Sequence, residues 1–312
     1  MIRIICGVDV SQAHLDAHVR PYGHFRRFGN DAAGIAALAA FCREHGVELA
    51  VMEASGGAER RAYLLLWELE MPCALVNARR VRGFAEAMGH LEKTDRIDAS
   101  VIAHYAQAKG TIATEPPSLV QQCLSALVAR LAQVTGDLTV HKQRLHAARD
   151  GKMRESLQEV IALLKRQSRS LEGEIASLID DDPLWSRLDQ AFRSLKGVAG
   201  RTVARLMAEL PEIGLISNKA IAKLAGLAPF ARDSGQHKGR RSIRGGRAGP
   251  RGILFLVGAL AARHDPNLNA FQQRLQAAGK PKMVIRIALA RKLLVILNAK
   301  ARETRREFEN AA

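Results

Sequence analysis

Short apolar runs separated by turn-forming residues open the chain. Ile2 to Val10, Leu15 to Arg20 and Phe25 to Gly29 have the length and patterning of strands, and Pro21-Tyr22-Gly23 marks the second turn between them. The period then lengthens. Asn30-Asp31 offers an N-cap for a helix through Ile35, Leu38, Ala39 and Phe41 to His45, which Gly46 closes. Glu48 to Glu53 predicts a fourth strand, Ala58 to Leu69 a helix, Cys73 to Asn77 a fifth strand, and Val81 to Met88 a further helix.

From Gln121 to about Ile179 the strands give way to helical periodicity. Leu124, Leu127, Leu131 and Val134 recur at helical spacing, as do Leu157, Val160, Ile161, Leu164, Leu171, Ile175 and Leu178. Two long helices forming an antiparallel coiled-coil arm fit this pattern, serving either as a spacer or as an oligomerisation surface. Asp180-Asp181-Asp182-Pro183 ends the arm, and acids crowded before a proline read as a cap for the next helix rather than as a metal site. Ile253 to Arg263, Phe271 to Ala277 and Met283 to Ala299 predict the helices of a last, mostly α-helical domain, with Lys300 to Arg306 extending its basic surface. The expected division is 1–112, 113–183 and 184–312.

Composition sharpens this picture through charge. The 312 residues carry a net charge of +16. From Ala228 to Ala312 there are 18 Lys/Arg against 5 Asp/Glu, so +13 of the +16 falls in the last quarter, which points to a polyanionic partner for that part. Cys6, Cys42, Cys73 and Cys123 form no C-x-x-C pair, and free thiols in a reducing cytoplasm are the expectation. No apolar run has the length of a membrane span and no leader pattern opens the chain, so no membrane partner is expected.

The candidate chemistry begins with Lys93-Thr94-Asp95-Arg96-Ile97-Asp98-Ala99, which would place two carboxylates on one face of a helix's first turn. Alone, such a pair is usually a solvated helix face. Asp9 and Glu53, however, each end a strand candidate and are followed by small residues, where open α/β sheets build their sites. Meander strands followed by alternating helix and strand are the order of a ribonuclease-H-like fold, in which the first strand, the fourth strand and a late helix carry the acids. Four such oxygen ligands suit hard cations such as magnesium, singly or as a pair, in phosphoryl transfer.

Two further stretches bear on a nucleic-acid partner. Ser194 to Ala204 resembles the turn of a helix-hairpin-helix module, where backbone N–H groups meet a phosphate, although Ala199 stands where a second glycine is usual; a plain helix turn is the alternative. The stretch from Asp233 to Arg251, rich in glycine and carrying Lys238, Arg240, Arg241, Arg244, Arg247 and Arg251, predicts a mobile basic loop able to wrap a sugar-phosphate backbone. Ser234 lies between an acid and a glycine, where its hydroxyl could approach phosphorus. Composition alone favours a turn former there. His237 is a possible proton acceptor.

Taken together, the blocks Gly7-Val8-Asp9-Val10-Ser11, Met52-Glu53-Ala54-Ser55-Gly56, Lys93 to Ala99, Ala208 to Gly214, Ala225 to Pro229, Asp233-Ser234-Gly235 and Gly245-Gly246-Arg247 resemble the DEDD transposases of the one-ten family of insertion sequences, relatives of the Piv invertase. The resemblance implies a RuvC-like domain, a coiled coil and a C-terminal transposase domain. It implies that Asp9, Glu53, Asp95 and Asp98 hold Mg²⁺ and that Ser234 is the nucleophile forming a covalent phosphoserine. It also implies donor and target double-stranded DNA, a structured bridge RNA, a homo-oligomer between dimer and tetramer, and a place at the bacterial nucleoid. Two other classes compete with it. A RuvC-like junction endonuclease would cut with activated water and form no adduct. A non-catalytic RNA- or DNA-binding relative would keep the basic loop without needing the carboxylates.

Overall fold

The computed structural model describes residues 3–54, 56–89, 95–231, 233–234, 237–239 and 241–311, which fall into two compact units, residues 1–117 and 118–312. In the first unit, strands β1 (Ile5–Val10), β2 (His14–Arg20), β3 (His24–Gly29), β4 (Leu49–Glu53) and β5 (Cys73–Val76) form one sheet in the order β3-β2-β1-β4-β5. The meander β1-β2-β3 is antiparallel, whereas β4 and β5 run parallel to β1. Helices α1 (Ala32–Glu44) and α2 (Glu59–Glu68) cover one face. On the other lie α3 (Ala78–Ala87) and α4 (Asp95–Lys109). This is the mixed α/β sheet expected from the element order.

Strand alternation separates the two faces residue by residue. Cys6, Val8, Leu15, Ala17, Ala50 and Met52 pack with the α1 and α2 residues Ile35, Leu38, Ala62 and Leu66. Ile5, Leu49, Val51, Ala74 and Val76 pack with Val101, Ile102, Ala103 and Ala106 of α4. Asp31 caps α1 as predicted, accepting from the Gly34 amide at 2.8 Å. Gly7 is where α4 touches β1: a Cβ there would sit 2.1 Å from the Ala99 carbonyl oxygen and 2.5 Å from the Ala103 amide nitrogen. Only a glycine lets this helix lie so close to the central strand.

The second unit is helical. Helices α5 (Leu119–Ala147) and α6 (Gly151–Asp180) form the expected pair, joined by three residues. Among the described residues α5 alone is long and apolar enough to cross a membrane by length and composition, which qualifies the reading that no segment is. The apolar stretch is interrupted by polar residues, so no continuous run announces it. Its Leu124, Val128 and Leu131 belong to the core that α7 (Pro183–Arg193), α8 (Gly200–Glu209) and α9 (Asn218–Leu224) share with α10 (Ala248–Ala261), α11 (Pro266–Ala277) and α12 (Lys282–Ala311). Asp182 caps α7 by accepting from the Trp185 amide at 2.9 Å, as expected of the acids before Pro183.

Several boundaries differ from the expectation; α11, for one, begins at Pro266 rather than Phe271, with Asp265 as its N-cap. Helix α10 starts at Ala248, ahead of Ile253, because Pro250 in a first turn gives up an N–H that has no helical partner anyway. Helix α12 runs on through Lys300 to Arg306 because Leu297, Ala301 and Thr304 stay buried at helical spacing. Asn298 ties this helix to the Pro211–Gly214 block. It is fully buried, accepts from the Gly214 amide at 2.8 Å, and donates to the Ile216 carbonyl at 3.1 Å and to Asn218 Oδ1 at 2.8 Å.

Candidate active site

The acids lie in a line across one face of the first sheet. Asp9 on β1 pairs in register with Asp16 on β2, and Asp16 pairs with Arg27 on β3. On the opposite side of β1 the last parallel rung is Val8 with Met52, so Glu53 ends β4 one step further, beside Asp9. Asp9, Asp16, Glu53 and Arg27 all lie on the face that α4 covers, and the first turn of α4 brings Asp95 and Asp98. The sequence expectation of four acids on β1, β4 and a late helix is met in position. Lys93, Thr94 and Ser55 of the flanking blocks lie outside the described residues.

The acids feel one another electrostatically. Partial burial pushes the Asp9 carboxyl up, and Asp98, Asp95 and Asp16 push it further, in that order. By donor chemistry Asp9, Asp95 and Asp98, with Glu53 on the neighbouring strand, suit a hard divalent cation. The arrangement nevertheless stops short of a coordination shell. Among the described residues no group of three or more acid, histidine or cysteine side chains is placed to hold an ion.

Arg27 bonds to two of these acids. Its Nε donates to Asp16 Oδ1 at 2.8 Å and its Nη2 to Asp16 Oδ2 at 2.9 Å, a two-point fork on a carboxylate that is only 4% exposed. The same Nη2 donates to Asp95 Oδ2 at 2.7 Å. Hydrogen bonding to Asp16, first, and the charges of both acids raise the guanidinium's pKa, so it stays a cation. Neither Asp16 nor Arg27 stood out in the sequence. A lone aspartate and a lone arginine in alternating strands look like solvent-facing positions, and only the cross-strand register brings them together.

In the second unit the predicted loop carries two short ribbons. β6 (Pro229–Phe230) pairs with β9 (Ser242–Ile243), and within it β7 (Asp233–Ser234) pairs with β8 (His237–Lys238), setting Ser234 opposite His237. Two short ribbons thus lie within the stretch expected to be a mobile basic loop. The side chains of Ser234, His237 and Lys238, and all of Arg240, lie outside the described residues. Arg241 and Arg244 are exposed.

Arg247 and Arg251, expected to contact phosphates, make bonds within the protein. Arg247 forks onto Glu212 with both contacts at 2.7 Å and also donates to the Glu209 carbonyl at 2.7 Å. Arg251 donates to the Gly245 carbonyl at 3.0 Å. Both hold the base of the ribbon, where Gly246 and Gly226, each at positive φ, let two backbones meet; a Cβ on Gly246 would lie 2.2 Å from the Gly226 nitrogen. At the predicted hairpin, Arg201 at the start of α8 bonds to Glu172 of α6, and to Ser168 Oγ at 3.2 Å. The bond from Arg201, followed by the one from Ser168, pulls the Glu172 pKa down against the cost of its burial.

Comparison with known proteins fits this layout. A sequence model of DEDD, IS110-type transposases matches residues 6–153, and that of the transposase IS116/IS110/IS902 family matches residues 189–273. The pilin gene-inverting protein of Moraxella bovis is 25% identical over 329 aligned positions, covering 98% of both chains, and its counterpart from Moraxella lacunata matches to the same extent. The RuvC structure from Thermus thermophilus matches 35% of this chain and 98% of its own at 15% identity, with a TM-score of 0.28, too low to carry weight. Matched in both units by transposase models of one family and along its length by gene-inverting proteins, the chain belongs to the IS110-type DEDD transposases.

Proposed function

We propose that the protein cuts and rejoins DNA as a recombinase of the insertion-sequence type, with a bridge RNA choosing the sites. The observation that carries this reading is the alignment of Glu53, Asp9 and Asp16 across one sheet face with Asp95 and Asp98 above it, in a chain of a transposase family. Asp9, Glu53, Asp95 and Asp98 are the residues that would hold Mg²⁺. When bound, the ion supplies neutralisation of charge on a scissile phosphate.

Ser234 supplies the nucleophile. Its oxygen forms a bond to phosphorus, the bridging bond to one strand end breaks, and that end departs with the proton. The phosphodiester is thereby kept as a phosphoserine, and a hydroxyl of the incoming strand reverses the step. The exposed Arg241 and Arg244, with Lys238 and Arg240, serve the sugar-phosphate backbone, and the +13 of the last quarter keeps the polyanion close. Oligomerisation between dimer and tetramer, and residence in the cytoplasm at the nucleoid, belong to the same proposal.

The test is a cleavage assay with the RNA that copurifies with the protein and DNA matching its loops. Wild type should leave a protein–DNA adduct on a denaturing gel. Ser234→Ala should lose cleavage and adduct yet still bind nucleic acid. Normal recombination by that variant would refute the serine's role, and cleavage by wild type without any adduct would favour a junction endonuclease.

A further inference from the structure

Asp95, one of the proposed four ligands, is bonded to a cation of the protein itself, Arg27. Arg27 cannot follow it toward Asp9, because the guanidinium is anchored by its two-point bond to the buried Asp16. Asp16 is a rung away from Asp9, and Arg27 a rung further, so the anchor sits on the β2–β3 side of the acid row. While Asp95 Oδ2 bonds to Arg27 Nη2, its carboxylate is drawn to that side. The Arg27–Asp16 bond is shielded at the Asp16 end, whereas both ends of the Arg27–Asp95 pair are largely exposed, at 50% and 62%. The exposed pair is the weaker of the two and the one able to exchange.

We propose that Arg27 is a positioning residue that withholds Asp95 from the acid row, so that a divalent cation gains its full set of ligands only by displacing Arg27 from Asp95 while the Arg27–Asp16 bond stays intact. The proposal rests on the reading that these acids hold a metal. Such a device would keep the nuclease-like centre incomplete until the cation arrives.

The experiment is Mn²⁺ binding to the full-length protein by calorimetry. Removing Arg27 alone would strand the buried Asp16, so the working variant is D16N/R27Q, with folding checked by circular dichroism. Mn²⁺ should bind D16N/R27Q, a pair of substitutions that leaves the net charge unchanged, about fivefold more tightly than the wild type, the gain expected from releasing an exposed ion pair. On a D95N background the same pair of substitutions should give no comparable gain. Equal or weaker binding by folded D16N/R27Q overturns the proposal and leaves the metal reading standing. An equal gain with and without Asp95 also overturns it, since that would be a general charge effect. Absence of Mn²⁺ binding by the wild type and every variant removes the metal reading, and this proposal with it.

Discussion

Asp9 bears the electrostatic cost of the acid row. Its carboxyl is raised by burial and by three neighbouring acids, so the folded state holds a proton more tightly than the unfolded chain does. Stability should then fall as pH rises from the ordinary carboxylate value through the raised one, and the full penalty is present at neutral pH. Asp9→Asn should therefore raise stability in chelator-treated buffer at pH 7, seen as a higher melting temperature, by on the order of 1 kcal/mol or less given the partial exposure. The difference from wild type should close in acid, below the unfolded value. A variant less stable than wild type at pH 7 would show that Asp9 is held by favourable contacts instead. Gly7, two residues away, has the opposite character. Gly7→Ala would drive a methyl into Ala99 and Ala103 of α4, and should cost about 1–3 kcal/mol by thermal unfolding. A neutral result would mean that α4 can slide on β1.

At the scale of elements, the ribbon from Pro229 to Ile243 and the start of α10 form a small unit whose arginines divide into two kinds. Arg247 is consumed by Glu212 and Glu209, whereas Arg241 and Arg244 are exposed. Arg241→Ala and Arg244→Ala should each weaken nucleic-acid binding and reduce the slope of log affinity against log salt by about 0.7 to 0.9 for each phosphate left without its cation. Arg247→Ala should instead lower stability by about 1 kcal/mol and leave the salt slope unchanged. Identical salt behaviour for all three would erase the distinction. Arginine density in the sequence could not reveal it, because Glu209 and Glu212 lie far back along the chain. The two-residue strands were equally hidden, being too short to show any alternation.

For the whole molecule, what could be read from the sequence follows the range of the interactions. The five strands and α1 were visible because each depends on its own periodicity and caps, and Asp31 does bond Gly34 as its position suggested. The acids at the ends of β1 and β4 and at the start of α4 were visible because strand ends are where such sheets place their chemistry. Asp16 and Arg27 were not, since their meaning depends on lateral register between strands, and neither was Gly7, whose reason is a helix nearly a hundred residues away. The extent of α12 was missed because a basic surface masked the buried stripe of Leu297, Ala301 and Thr304.

If the sheet-borne acids make DNA strand cleavage depend on a divalent cation, the most direct measurement is strand cleavage against Mg²⁺ concentration for wild type and Asp9→Asn with the same RNA and DNA. The wild type should be silent in chelator and recover as Mg²⁺ is added back, and the variant should stay silent at every concentration. Cleavage by Asp9→Asn at the wild-type rate with the wild-type Mg²⁺ dependence would contradict that role for the acids.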